Sequence, residues 1–444
     1  MDRGATIVAP ASGQGRAGVA VIRISGPATA AVLRTVAGGI PEARRATLRK
    51  FVDPKTAEAI DRGLALWFPG PNSFTGEDMA ELHIHGGRSV IEGLLGALVK
   101  GCGCRLAEPG EFARRAFANG KLDLAAVEGL SDLIEAETEA QRRQALRQLE
   151  GALGRKVEDW AARLLEVMAW AEAALDFSDE SDVPARSLAS AMESADAVAR
   201  EMSEALASAS QGERLRDGFM VALAGPPNAG KSTLLNALAK RDVAIVSPIP
   251  GTTRDAIEVR LDLGGLPITL VDLAGIRDSS DPIESEGIAR ARQRIQRADL
   301  VLWLEEAEST ESGRQDGMET AVRVRTKVDL ASKVDSGAEP HKRILNLSAV
   351  TGEGVDELLK LIRARAMEGL GAGDVLVTRE RHRIALGDAS AHLNRAIAAF
   401  QRGVGEEMVA EDLRLAVRSL GRISGRVDVE DVLGTIFSRF CVGK

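Results

Sequence analysis

Gly225-Pro-Pro-Asn-Ala-Gly-Lys-Ser-Thr233 follows an apolar run, Phe219-Met-Val-Ala-Leu-Ala224, and precedes a helical pattern, Leu234-Leu-Asn-Ala-Leu-Ala239. Strand, glycine loop, helix is the setting in which a GxxxxGK[ST] match carries a mechanism. Gly225 and Gly230 let the backbone turn its N–H groups inward around a phosphate. The helix that follows adds its positive N-terminal end. Lys231 supplies a point charge for the β/γ oxygens and Ser232 a hydroxyl for Mg²⁺.

The rest of a nucleotide site follows in order. Gly251-Thr-Thr-Arg-Asp255 is a polar loop in which Thr253 is expected to reach Mg²⁺ and the γ-phosphate. Ile268-Thr-Leu-Val-Asp-Leu-Ala-Gly275 reads as a strand ending in Asp272, an Mg²⁺ partner through water, and Gly275, whose N–H senses the γ-phosphate. Thr326-Lys-Val-Asp329 and Leu347-Ser-Ala-Val350 close the series. Asp329 accepts from the N1–H and N2–H₂ donors of guanine, a pair that adenine lacks, so the site selects GTP. Ser348, Ala349 and Val350 close over the base. The expected GTP contacts run from Asn228 and Ala229 through Gly230, Lys231, Ser232 and Thr233. They continue through Ser247, Pro248, Ile249, Pro250, Gly251, Thr252 and Thr253, and through Asp272, Leu273, Ala274 and Gly275. Thr326, Lys327, Val328 and Asp329 complete them with the base-closing trio. Four motifs in order, each at a strand end, specify a GTPase of the Ras-like P-loop class. Two positions depart from the usual pattern. Thr326 stands where GTPases carry Asn; its hydroxyl donates one hydrogen bond and cannot reproduce an amide, so weaker guanine affinity is expected. Ile276 stands where Ras-like proteins carry a water-positioning glutamine, so catalytic help must come from elsewhere.

The chain of 444 residues has room for two to four domains. Hydrophobic content of 45% and charged content of 27% are those of a globular protein. A net charge of −8 argues against a protein that simply coats nucleic acid. Three cysteines are too few for a disulfide framework. No apolar run is long enough to span a membrane, and the N-terminus lacks the apolar core of a signal peptide, so a cytoplasmic protein is expected.

Residues 1–120 read as mixed α/β, with strand patterns at Val19–Ile24, Leu64–Phe68 and Met79–His85 and helical periodicity from Val90 to Val99. Alternation puts Glu81, His83 and His85 on one face, for packing or ligand hydrogen bonding rather than a metal. Cys102-Gly-Cys104 reads as a loop end rather than a redox pair. From 121 the chain turns helical, to about 216, and the same composition returns from 375 to 444. The segment 217–374 is then a G domain inserted into a helical bundle whose two parts pack together. Glu305–Thr320 reads as a solvated charged loop. The arginine clusters at Arg44-Arg45, at Arg49-Lys50, at Arg142, Arg143 and Arg147, and at Arg379–Arg383 read as solvated faces or Glu-paired helices.

Over essentially its whole length the chain resembles the tRNA-modifying GTPase family called MnmE or TrmE. The resemblance rests on Asp2 to Ile7, Ala9-Pro-Ala-Ser-Gly13, Val21-Ile-Arg-Ile-Ser-Gly26, Ser73-Phe-Thr-Gly-Glu-Asp78 and Glu81-Leu-His-Ile-His-Gly-Gly87. It continues in Ala107-Glu-Pro-Gly-Glu-Phe112, Ala116-Phe-Ala-Asn-Gly-Lys-Leu-Asp-Leu124 and the ending Phe440-Cys-Val-Gly-Lys444. It implies a cytosolic homodimer whose N-terminal α/β domains pair and bind a reduced folate, 5-formyltetrahydrofolate standing in for a one-carbon donor. Arg23, Glu81, Lys121 and Lys444 match the folate contacts; a carboxylate reads the amide and amino edge of a pterin, and Arg or Lys suits its glutamate tail. It further implies a flavin-dependent partner, MnmG (GidA), which carries the FAD and joins it in a heterotetramer or larger assembly. Together they install an aminomethyl or carboxymethylaminomethyl group at carbon 5 of the wobble uridine of certain tRNAs. Catalytic help is implied to come from K⁺, held by Asn228, Ser247, Ile249 and Thr252, with Mg²⁺ on Ser232 and Thr253. Glu284 matches the glutamate that orients water, beside the catalytic Lys231 and Thr253. Two other classes stay open on the sequence: a regulatory GTPase of ribosome assembly, and a folate-binding protein with a vestigial G domain. Folate binding that depends on Glu81 and Lys444 separates the first, and GTP turnover the second.

Overall fold

The computed structural model describes residues 4–13, 15–176, 183–245, 258–272, 298–308, 321–331, 344–371, 373–427, 430–438, 440 and 442–443. Its elements are β1 (Ile7–Pro10), β2 (Ala17–Ser25), α1 (Thr29–Val36), β3 (Thr47–Val52), β4 (Ala59–Phe68), β5 (Met79–Gly86), α2 (Arg88–Gly96), β6 (Arg105–Leu106) and α3 (Glu111–Ala118). Then come α4 (Leu124–Glu135), α5 (Glu139–Leu149), α6 (Ala152–Asp176), α7 (Val183–Ala207), α8 (Ala209–Asp217), β7 (Phe219–Ala224), α9 (Lys231–Ala239), β8 (Glu258–Asp262) and β9 (Pro267–Asp272). The remainder are β10 (Leu300–Glu306), β11 (Val322–Thr326), β12 (Leu345–Asn346), α10 (Val355–Leu370), α11 (Glu380–Gln401), α12 (Glu406–Ser424) and α13 (Glu430–Ser438). The chain divides into two compact units, one of 1–131, 149–158 and 420–444, the other of 132–148 and 159–419.

In the first unit six strands form one sheet in the order β3-β4-β5-β2-β1-β6. All pairs are antiparallel except β1 with β6. Alternation does the sorting: Ala80, Leu82 and Ile84 of β5 are buried, while Glu81, His83 and His85 take the opposite face. The buried side meets Val32, Leu33 and Val36 of α1 and Leu94 of α2 in one core. The helical periodicity read from Val90 breaks at Gly96, where a π-helical turn, Ala97–Gly101, takes over. At the other end of the chain, Phe437 and Phe440 are buried with Ala113, Phe117 and Val127. Each buried phenylalanine contributes about 1.5–3 kcal/mol to holding the C-terminal segment. Val442 then bridges Pro109, and Gly443 turns at φ 102° with its Cα against the Pro10 carbonyl, where a Cβ would not fit.

In the second unit a sheet of order β12-β11-β10-β7-β9-β8 is parallel throughout except for the β8–β9 hairpin. Such strands, covered on both faces, read as continuous apolar runs, and Val221, Leu223, Leu270, Leu302, Leu304 and Val324 are all fully buried. The helices include α7, which packs along α11, and α6, whose fully buried Trp160 donates its indole N–H to Glu201 at 2.8 Å. Glu305 does not begin a solvated loop. It lies in β10, 7% exposed, with the Arg323 guanidinium of β11 on both carboxylate oxygens at 2.7 and 2.9 Å. A run of charge along the sequence hides a neighbouring strand that neutralises part of it. Among the described residues no helix is long and apolar enough to cross a membrane.

Candidate functional site

The phosphate loop sits between the C-terminal end of β7 and the start of α9, the crevice position of open α/β sheets. Three residues there have left-handed or related backbone: Gly225 at φ 144°, Asn228 at 62° and Gly230 at 85°. A Cβ on Gly225 would fall well inside contact with the carbonyl oxygen of Leu304, so only glycine lets β7 pass β10 here. Asn228 is exposed and Ala229 buried. The Lys231 ammonium donates to the carbonyl oxygens of Gly225 and Pro226 at 2.8 and 2.9 Å, which holds its charge inside the loop. Burial pushes its pKa down, against the opposing charge of Asp272.

Ser232 Oγ donates to Asp272 Oδ2 at 2.9 Å, while Oδ1 of the same carboxylate is buried without a hydrogen-bond partner. A hydroxyl at the start of α9 and an unpartnered, buried carboxylate oxygen at the end of β9, held together by that bond, are the hard-oxygen donors that Mg²⁺ takes, directly and through water. The residues present therefore fit that ion. Thr233, the next residue, is exposed.

Thr326 lies at the end of β11 and is 3% exposed. Its hydroxyl donates to the Ala229 carbonyl at 2.8 Å and approaches the Glu305 carbonyl at 3.2 Å. The one hydrogen bond this hydroxyl donates is thus spent on the floor of the phosphate loop. The chain next turns at Lys327, φ 58°, whose ammonium pairs with Glu306. Val328 is buried and Asp329 exposed. Ser348 is fully buried, its amide donating to the Glu353 carbonyl at 2.9 Å and its Oγ accepting from the Thr351 amide at 3.2 Å. Ala349 is half-buried and Val350 is 80% exposed. Ser247, Pro248, Ile249, Pro250, Gly251, Thr252, Thr253, Leu273, Ala274, Gly275 and Glu284 lie outside the described residues, as do Cys441 and Lys444.

A second constellation lies on the first unit's sheet. Arg23 of β2 stands opposite Glu81 of β5 in the strand register. The guanidinium donates to Glu81 Oε1 from Nε at 3.1 Å and from Nη2 at 2.9 Å, and from Nη1 to the Gly443 carbonyl at 3.4 Å. It also stacks over Phe74 and Phe112, 5.6 and 5.8 Å from the ring centroids. Glu81 Oε2 has only a long contact, 3.5 Å, with His83 Nε2, which leaves that oxygen able to accept from an amide edge. Lys121 is exposed, its stem across Gly76. Sequence reading missed the two phenylalanines and the Gly443 carbonyl. Their signal was present in Ser73–Asp78, in Ala107–Phe112 and in the chain ending, but no spacing rule links residues so far apart.

Other candidates carry less. His85 accepts or donates at Asp61 (2.8 Å), and no group of three metal-ligating side chains occurs among the described residues. Burial pushes the Cys102 thiol up, and the buried Cys104 thiol up to about 11, which fits a loop end and not a redox pair. The basic clusters are largely spent within the fold: Arg142 and Arg143 on Glu139, Arg147 on Asp374, Arg379 on Asp132 and Arg383 on Glu213.

The pattern of the GTP-binding protein TrmE N-terminus matches residues 6–121, and that of the MnmE helical domain matches residues 124–441. The tRNA modification GTPase MnmE of Methylobacterium sp. (strain 4-46) is 58% identical over 442 residues, 99% of each chain. That of Methylorubrum populi is 57% identical over 441 residues, 99% of this chain and 98% of its own. The chain belongs to the MnmE family of tRNA modification GTPases. It is accordingly a GTP-binding enzyme that hydrolyses GTP and takes part in tRNA modification, built from an N-terminal TrmE domain, a helical domain and a P-loop domain. Among solved structures, the G domain of the T. maritima FeoB iron transporter is 32% identical and covers 33% of this chain and 98% of its own, at a TM-score of 0.26. On this chain the range matched by the MnmE helical pattern, 124–441, includes the phosphate loop.

Proposed function

We propose that this MnmE-family protein is a K⁺-activated GTPase that modifies carbon 5 of the wobble uridine of tRNA, with a tetrahydrofolate one-carbon donor and the flavoprotein MnmG as partner. The observation that carries the reading is the Arg23–Glu81 pair, lying against the chain's own Gly443 carbonyl in a GTPase of this family. Glu81 reads the amide and amino edge of the pterin, and Lys121 with Lys444 holds the glutamate tail. The chain acts as a cytoplasmic homodimer. Its proposed divisions are residues 1–120 for folate and dimerisation, 121–216 and 375–444 for the helical domain, and 217–374 for the G domain.

At the nucleotide, Lys231 neutralises charge on the β/γ oxygens and Ser232 with Thr253 holds Mg²⁺. Asp329 accepts from guanine N1–H and N2–H₂. Glu284 orients the attacking water. Asn228, with Ser247, Ile249 and Thr252, would hold K⁺, which when bound supplies positive charge where the transition state develops negative charge. Titration of 5-formyltetrahydrofolate by calorimetry tests the folate half: binding by the wild type and its loss in Glu81→Ala are expected. Equal binding by the variant would overturn the assignment. GTP turnover in K⁺ against Na⁺ at fixed ionic strength tests the ion, and equal rates would remove it.

A further inference from the structure

Arg115 of α3 is 7% exposed and reaches none of the groups proposed for folate, yet it is tied to the loop beneath them. Its Nη1 donates to Glu77 Oε2 at 2.8 Å, and its Nη2 to the Ala5 carbonyl at 2.9 Å and to Glu111 Oε1 at 3.3 Å. Glu77 Oε2 also accepts from Ser25 Oγ at 2.9 Å, and that hydroxyl shares a hydrogen bond with Thr75 at 2.8 Å. From the residue that caps the C-terminal end of the same helix, Asn119, Nδ2 donates to the Thr75 carbonyl at 2.7 Å. Segment 73–78 is thus held from two directions by one helix.

That segment meets the proposed folate site at two points. Phe74 lies under the Arg23 guanidinium. Gly76, at φ 78°, is packed so that a Cβ would come within 2.9 Å of Asn119 Cβ and 3.2 Å of Lys121 Cε. Arg105 also pairs with Glu111, so two guanidinium groups face two carboxylates and the cluster is neutral. Buried ionic clusters are no cheaper than apolar packing of the same volume. What a planar guanidinium adds is direction: it fixes several acceptors at once in one geometry.

We infer that Arg115 and Asn119 are positioning residues for the one-carbon donor site, acting through segment 73–78, which seats Phe74 under Arg23 and Gly76 against Lys121. The inference rests on the folate reading of Arg23, Glu81 and Lys121. Arg115 holds the loop at Glu77, and Asn119 holds it at Thr75. A lysine at 115 keeps the charge but cannot span Glu77 and the Ala5 carbonyl together, so the loop loses its register.

The test is a double-mutant cycle on the full-length protein, with 5-formyltetrahydrofolate affinity read by calorimetry. Arg115→Lys and Phe74→Ala should each weaken binding by about 10-fold, the scale on which groups of one hydrogen-bonded network couple. The double variant should bind more tightly than the product of the two losses, because part of what Arg115 does passes through the Phe74 ring. A merely structural arginine would give losses that multiply. If Arg115→Lys fails to give a wild-type circular dichroism spectrum, Asn119→Ala in the same cycle carries the test, since it cuts only the Thr75 bond. Wild-type affinity in Arg115→Lys or Asn119→Ala, or multiplying losses, overturns the inference and leaves the folate reading standing. A wild type that does not bind the folate overturns both.

Discussion

Replacing Thr326 by valine removes one hydroxyl and little else, since the two side chains share a shape. That hydroxyl donates to the Ala229 carbonyl at 2.8 Å in a position 3% exposed. Ala229 is itself 1% exposed, so water cannot replace the lost donor. A buried acceptor left without its donor costs about 1–3 kcal/mol. A carbonyl retains a second lone pair, so the lower part of that range applies, about 1–2 kcal/mol. The bond lies between the phosphate loop and β11, so the cost is expected to fall on the loop conformation that receives nucleotide. At 1.4 kcal/mol per decade, GDP and GTP should bind ~5–30-fold more weakly. Thr326→Asn supplies an amide donor in the same place and should bind within about threefold of wild type, because it replaces the bond rather than adding one to guanine. The assay is equilibrium titration with a fluorescent guanine nucleotide, with the thermal midpoint recorded beside it. Wild-type affinity in Thr326→Val, or clear tightening in Thr326→Asn, would refute the assignment of this hydroxyl to the loop.

Gly225→Ala must push β7 away from the Leu304 carbonyl at a backbone of φ 144°, and nucleotide binding should be lost in titration while the folate binding proposed for the first unit is unchanged. Acid should unsettle the Arg105–Glu111–Arg115 cluster. Burial pushes the Glu111 carboxyl up, but the bond from Arg105, the Glu108 amide and the charges of Arg105 and Arg115 outweigh it and hold its pKa below the ordinary value. Because the folded pKa is the lower one, its stabilisation is present above the unfolded value near 4.5 and is lost as pH falls through the folded pKa. Glu111→Gln should therefore melt earlier than wild type at pH 7, with the difference shrinking on acidification; a constant difference would show that the charge plays no part. Cys104, pushed to about 11 by burial, should resist alkylation in the native protein at pH 8 and react on unfolding, as followed by mass spectrometry.

The phosphate loop was legible because its residues are contiguous and its demands are made on the backbone. Positive φ at Gly225 and Gly230 is what the motif's glycines predict. The role of Thr326 was not legible, because its acceptor, Ala229, lies far back in the chain and a motif position does not say which way a hydroxyl points. Alternation in β5 gave the face shared by Glu81, His83 and His85 but not the partner strand; that Arg23 stands opposite Glu81 depends on sheet order. Glu305 was misjudged for the same reason, since Arg323 meets it only across a strand pair. The helical segments were readable from composition, whereas the docking of the C-terminal Phe437 and Phe440 beside α3 needed the packed core.

The most direct measurement is mass spectrometry of tRNA nucleosides from cells lacking this protein, complemented with wild type or with Lys231→Ala. Loss of the wobble aminomethyl or carboxymethylaminomethyl uridine is expected in the deletion, with recovery by the wild type and none by Lys231→Ala. An unchanged nucleoside profile in the deletion would contradict the proposed function.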